Sequence, residues 1–194
     1  PHPMVTAIPG LKVAMPSTAA DAKGLLTTAI RDDDPTIFFE HKALYGLQGE
    51  VPEGDYLVPF GKARMVSEGT DCTLVATGRM VSFCEDAANS LAADGISCDI
   101  LDPRTTSPLD EDAILDSVEK TGRLIVVDET PPRCSFAADV AALAASEVFS
   151  SLKAPIKTVT GPHSPVPFAK ELENAFLPSP LKIKTVIEQT VKYS

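Results

Sequence analysis

The stretch CTLVATGRMVSFCEDAANSLAADGISCDILDPRTT, residues 72–106, reads as strand, turn, helix, turn, strand. Cys72–Ala76 is a short apolar run rich in β-formers, and Thr77-Gly78 breaks it. From Met80 to Ala93 apolar residues recur at helical spacing, at Val81, Cys84, Ala87, Ala88, Leu91 and Ala92. Gly95 stands where a helix end takes a left-handed residue, and Ile96–Leu101 is apolar again at alternate positions. Two buried strands joined by one amphipathic helix make a right-handed parallel crossover, since parallel neighbours need a connection of that length and strand twist fixes its hand. The fold class is α/β.

Working towards the C-terminus, Ser107 or Thr106 is expected to cap a second helix, with Pro108 at its first position and Asp110, Glu111 and Asp112 in its first turn. Ile114, Leu115 and Val118 point it inward, and Gly122 ends it. Leu124–Val127 is a third buried strand, closed by Asp128-Glu129 and the stiff pair Pro131-Pro132. Ser135 caps a helix running to about Phe149, Ile156–Val159 is a fourth strand, and a proline-rich loop leads to helices over 169–175 and 181–191. With a short strand at Ala63–Val66, the order from there on is that of a small doubly wound, mostly parallel sheet.

Towards the N-terminus, Gly46–Pro59 is rich in glycine, proline and acids and reads as a linker. Before it come a strand over Leu11–Met15, a helix opened by Ser17 or Thr18, and a buried strand over Thr36–Glu40. The helix carries the apolar stripe Ala22, Leu25, Leu26, Ala29 and Ile30. Residues 1–45 thus give only β-α-β, too little for a core alone. They are expected to pack on the second unit or to expose an apolar edge through which the chain associates.

Composition narrows the function classes. A net charge of −10 argues against non-specific nucleic-acid binding and against an anionic membrane surface. The apolar runs are far shorter than the ~20 residues of a membrane span. The four cysteines, Cys72, Cys84, Cys98 and Cys134, form no CxxC pair and read as small hydrophobes, which favours a reducing, cytoplasmic setting. No glycine-rich phosphate loop, nucleophile elbow or HExxH is present.

Few residues offer chemistry. His2 reads as part of a ragged terminus without a role, and His41 as a solvated or capping side chain after a strand. His163 lies in the stiff loop GPHSPVP, suited to an interface or ligand contact. Asp32-Asp33-Asp34 at a helix C-terminus opposes the helix dipole; it is either a solvated acidic turn or a cation site built with free carbonyls of the last turn. Glu129 and Arg133 either line a binding edge or pair with each other or a neighbouring subunit. No catalytic constellation assembles from these residues, and the chain reads as a scaffold or assembly domain.

IPGLKVAMPSTAADAKGLLTTAIRDDDPTIFFEHKALYG, KTGRLIVVDET and PVPFAKELE resemble the β subunit of the thiamine-diphosphate-dependent 2-oxoacid dehydrogenases, a transketolase-like family. GRMVSFCEDAA, LDPRTTSPLDEDAILDSVEKTGR, PRCSFAADVAALAA and APIKTVTGPHSPVPF resemble most its acetoin dehydrogenase branch; the pyruvate and branched-chain 2-oxoacid enzymes share the scaffold. The resemblance implies that residues 1–45 are the C-terminal end of a pyrimidine-binding domain, 46–60 a linker, and 61–194 a transketolase C-terminal-like domain. It implies a β subunit whose full enzyme cleaves acetoin oxidatively and passes the acyl unit to lipoamide.

In that family thiamine diphosphate and Mg2+ belong to the full enzyme. The activating glutamate and the histidine motif fall outside this stretch, so no catalytic or cofactor-binding residue is assigned and the chain alone is expected to be inactive. The resemblance further implies a monovalent cation, K+, at the Ala29 and Asp32 carbonyls and Asp34. It implies as partners an α subunit, a second β subunit and the lipoamide acyltransferase core, with Glu129, Arg133, Lys153 and His163 as candidate contacts. At Lys153 the sequence departs from the acidic residue of the pyruvate enzyme. The rival from another class is a non-catalytic, stand-alone interaction module.

Overall fold

The computed structural model describes residues 2–193. In chain order it has α1 (His2–Thr6), β1 (Lys12–Ala14), α2 (Ala19–Arg31), β2 (Thr36–Phe38), β3 (Arg64–Ser67), β4 (Cys72–Ala76) and α3 (Arg79–Asn89). There follow β5 (Cys98–Asp102), β6 (Thr105–Ser107), α4 (Glu111–Thr121), β7 (Leu124–Val127), α5 (Phe136–Glu147), β8 (Lys157–Val159), α6 (Lys170–Phe176) and α7 (Pro180–Val191). The larger sheet has five strands in the order β3-β5-β4-β7-β8, parallel except for β3, which runs antiparallel at its edge. The opening crossover, β4-α3-β5, lies at its centre.

Every residue of β4, β5 and β7 is buried, as a parallel sheet covered on both faces requires. Alternate side chains serve opposite faces. Leu74, Ala76, Ile100 and Ile125 pack under α3 and α7 with Met80, Cys84, Ile183 and Ile187. Val75, Leu101, Leu124 and Val126 pack under α4 and α5 with Ile114, Val118, Phe136 and Val140.

The smaller sheet has the order β2-β1-β6. Residues 105–107 correct the expectation of a helix cap there. They form a strand antiparallel to β1, the Ser107–Pro108 bond is cis, and α4 starts later, from Asp110. The second unit therefore lends a strand to the first. β2, on the sheet edge, is half-buried rather than buried. The α2 stripe also splits: Leu25 is buried, but Leu26 and Ile30 are exposed.

A buried polar network ties the two sheets. Asp102, at the end of β5, accepts from Ser17 Oγ, and Arg64 Nη2 lies 3.4 Å from it. Asp21 in α2 faces Arg64 Nε and Arg104 Nε, each at 3.2 Å. Burial pushes the Asp102 carboxyl up, against the hydrogen bonds from Ser17 and the Arg104 N–H and the charge of Arg64. The segment 46–60 folds back along α2. Tyr56 Oη donates to the Ala20 carbonyl at 2.7 Å, and Lys23 Nζ donates to the Pro52 and Gly54 carbonyls at 2.8 and 2.7 Å. Gly24 admits Tyr56 and Val58, whose atoms would stand 2.4–2.8 Å from any Cβ there.

Candidate functional site

β5 and β7 lie on either side of β4, so successive connections leave in opposite directions and a crevice opens beyond the strand ends. It has a volume of about 630 Å³, within the range of small-molecule sites. Thr77, Gly78 and Arg79 come from the β4–α3 turn, and Asp128, Glu129 and Thr130 from the end of β7. Phe39, Glu40 and His41 come from the end of β2, and His2 from α1.

His2 departs from the ragged terminus expected of it: it is buried, in the first turn of α1. The ring is 4% exposed and meets Phe39 and Phe136 edge-on, with centroids 6.4 and 6.5 Å away. Its Nε2 lies 3.7 Å from Asp128 Oδ1, beyond hydrogen-bond reach, and has no hydrogen-bond partner. Burial raises the Asp128 carboxyl, but the His2 ring and the Thr130 hydroxyl and N–H outweigh it, so the group sits below the usual carboxylate range.

His41 caps the short 3-10 turn at Lys42–Leu44: its Nδ1 accepts from the Ala43 N–H at 3.2 Å. Its hydrogen is then on Nε2, which donates to Glu129 Oε2 at 2.8 Å. Within the chain Glu129 thus pairs with His41, which follows β2, and not with Arg133. The link was not legible, because 88 residues separate the pair.

The other sequence-named residues do not converge. Arg133 and His163 are exposed in loops after β7 and β8, while Lys153 precedes β8 at the opposite end of the strands. The Lys153 backbone N–H donates to the Gly122 carbonyl at 2.7 Å. Asp32 and Asp34 do come together, around Lys12. Its Nζ is 2.7 Å from both oxygens of Asp32 and 3.0 Å from Asp34 Oδ2. That ammonium answers the electrostatic oddity of acids at a helix C-terminus. Among the described residues no cluster of three or more His, Cys, Asp and Glu could hold a metal ion. Cys72, Cys84 and Cys98 are buried thiols, as expected, with Cys72 and Cys98 paired at 3.4 Å, while Cys134 is exposed.

The family pattern described as "Transketolase, C-terminal domain" matches residues 61–183, and "Transketolase, pyrimidine binding domain" matches residues 2–48. The chain is 54% identical over 190 residues to an acetoin:2,6-dichlorophenolindophenol oxidoreductase subunit beta of Cupriavidus necator, covering 98% of this chain and 56% of the relative. It is 46% identical to a pyruvate dehydrogenase E1 component subunit beta of Bacillus subtilis, covering 91% and 54%. It is 43% identical to a 2-oxoisovalerate dehydrogenase subunit beta of the same organism, covering 95% and 57%. The chain thus spans about half the length of these relatives. Among solved structures, a chain of a "split gene transketolase, inactive beta4 tetramer" superposes with a TM-score of 0.83 at 20% identity, covering 98% of this chain and 60% of that one. At that identity the likeness speaks for the fold.

Proposed function

We propose, from the premise that the chain belongs to the transketolase C-terminal-domain family, that it is the C-terminal part of the β subunit of an acetoin dehydrogenase. The observation that carries the reading is the identity gap: 54% to the acetoin oxidoreductase subunit against 46% and 43% to the pyruvate and 2-oxoisovalerate subunits. Those two substrates form the second reading. The full enzyme cleaves acetoin oxidatively and hands the acyl unit to lipoamide.

Thiamine diphosphate with Mg2+, when bound in the full enzyme, supplies the bond-cleaving chemistry. The residues described here do not fit it by themselves. Among them no glutamate is buried, so none stands in the dry setting that would let it act on an aminopyrimidine ring. This part of the subunit instead holds the scaffold. The ties Ser17–Asp102, Arg64–Asp21 and His41–Glu129 fix one sheet against the other. An α subunit, a second β subunit and the acyltransferase core are its partners, with exposed Arg133, His163 and Lys153 as contact candidates and Glu129 acting through His41. A monovalent cation at Ala29, Asp32 and Asp34 would share the acids with Lys12, and replacing Na+ by K+ should then raise the melting temperature. No described helix is long and apolar enough to cross a membrane. Cytoplasmic placement is part of this reading and rests on the buried, unbridged thiols Cys72, Cys84 and Cys98.

The test is reconstitution of the complete β subunit with its α subunit and assay on acetoin, pyruvate and a branched-chain 2-oxoacid. Turnover of acetoin is expected. Acetoin inert and pyruvate consumed would overturn the reading.

A further inference from the structure

We propose that the contact between the two sheets is a proton-linked joint, closed more firmly when Asp102 holds a proton and freer to open when it is ionised. Asp102, the last residue of β5, is fully buried. Its hydrogen-bond donors are mostly neutral: Ser17 Oγ, from the loop before α2, and the Arg104 N–H at 2.9 Å. Among the described residues its one cationic contact is Arg64 Nη2 at 3.4 Å, longer than the usual N–H···O bond. That guanidinium is shared. Its Nε faces Asp21 of α2 at 3.2 Å, and Nη2 also donates to Ser17 Oγ at 3.1 Å. Arg104, the other cation of the cluster, turns its Nε to Asp21. A carboxylate that is dry, weakly paired and beside a second acid is costly to ionise. Burial accordingly raises the Asp102 carboxyl and the charge of Asp21 adds to the rise, against the hydrogen bonds of Ser17 and Arg104 and the charge of Arg64.

The cluster straddles the joint. Ser17 and Asp21 come with the small sheet, Arg64 and Asp102 with the large one. Parting them wets Asp102 and returns it towards its ordinary 3.8, so the open form holds the proton less tightly than the closed form. Closure is therefore favoured at low pH. It loses that advantage as pH rises through the raised, closed-state value, and the open-to-closed ratio grows by up to about tenfold per pH unit on the way. The crevice lies between the same two sheets, with Phe39 and His41 on one wall and Thr77 and Asp128 on the other, so freeing the joint frees one wall of it.

The experiment is an NMR titration of the full chain with pH, following the Asp102 carboxyl by 13C and backbone amides by hydrogen exchange corrected for its intrinsic rate. The Met15 N–H reports on the joint, because it donates across it to the Arg104 carbonyl at 2.7 Å. The Thr73 N–H, which donates to the Arg123 carbonyl at 2.8 Å within the large-sheet unit, reports on the fold as a whole. The Asp102 midpoint is expected above 3.8. Met15 protection should fall as pH rises through that midpoint, more steeply than that of Thr73, and Asp102→Asn should make it flat over the same range. An Asp102 midpoint at or below 3.8, a Met15 slope no steeper than that of Thr73, or a slope that survives in Asp102→Asn would overturn the proposal. The wild-type titration decides even if the variant does not fold.

Discussion

A single ammonium gathers two of three consecutive acids, Asp32 and Asp34, into a clasp. Lys12 enters from β1 and reaches past the end of α2 to Asp32 and Asp34. Hydrogen bonds from Lys12 and from the Asp34 N–H hold the Asp32 carboxyl below its ordinary 3.8, and hydrogen bonds to Asp32 and Asp34 raise the Lys12 ammonium above its ordinary 10.5. A depressed acid contributes stability above its unfolded value and loses it as pH falls through the folded one. A raised base contributes below its unfolded value and loses the contribution as pH rises through the folded one. Lys12→Met should therefore lower the melting temperature across the interval between 3.8 and 10.5. The gap should close towards acid, and shrink in high salt because the half-buried clasp is still open to solvent on its Asp34 side. Melting curves of both proteins against pH check it, and a gap unchanged at pH 2–3, well below the ordinary carboxylate range, would count against the clasp. Sequence alone showed the acids and not their partner, because Lys12 lies 20 residues away from Asp32 on a different element.

At the scale of elements, chain punctuation was legible where the signal was local. Thr18 and Ser135 each accept from a first-turn N–H, and two glycines adopt the left-handed region: Gly95, at φ 75°, after the 3-10 turn Ala92–Asp94 that follows α3, and Gly122, at φ 74°, after α4. Gly122 carries a second constraint. A Cβ there would meet the Lys153 stem at 2.7–2.9 Å. Gly122→Ala should destabilise by about 1–2 kcal/mol from the left-handed backbone, with a further steric cost. Lys153→Ala in the same chain should remove the steric part and leave the backbone part, so the two changes should be non-additive in chemical denaturation. Strict additivity would show that the stem moves aside freely. The start of α4 was not legible in the same way. Thr106, Ser107 and Pro108 have the composition of a helix opening, but β1 needs an antiparallel neighbour and takes residues 105–107 for it. Tertiary pairing outranks a local propensity of a few tenths of a kcal/mol.

For the whole molecule, the consequence is that the two units are not separable bodies. β6 belongs by sequence to the second and by pairing to the first, and Thr105 in it receives the Gly61 N–H at 3.0 Å. The doubly wound sheet was legible because apolar strand segments such as Leu124–Val127 alternate with helices of clear apolar periodicity, whereas the crevice was not, because His2, Gly78 and Asp128 come from three distant segments. What the sheets leave uncovered sets the association behaviour. Leu26 and Ile30, one turn apart on α2, are 43% and 76% exposed, and Met4 and Ile8 near α1 are 78% and 50% exposed. β2, with its outer edge unpaired, borders the same small sheet. Exposed apolar side chains on α2 and an open strand edge each favour pairing with a second copy. Sedimentation velocity should show concentration-dependent association of the chain. Leu26→Lys with Ile30→Lys should shift it towards monomer without lowering the melting temperature of the monomer, since neither side chain is in the core. A wild-type chain that stays monomeric at high concentration would mean that this face has no affinity for itself.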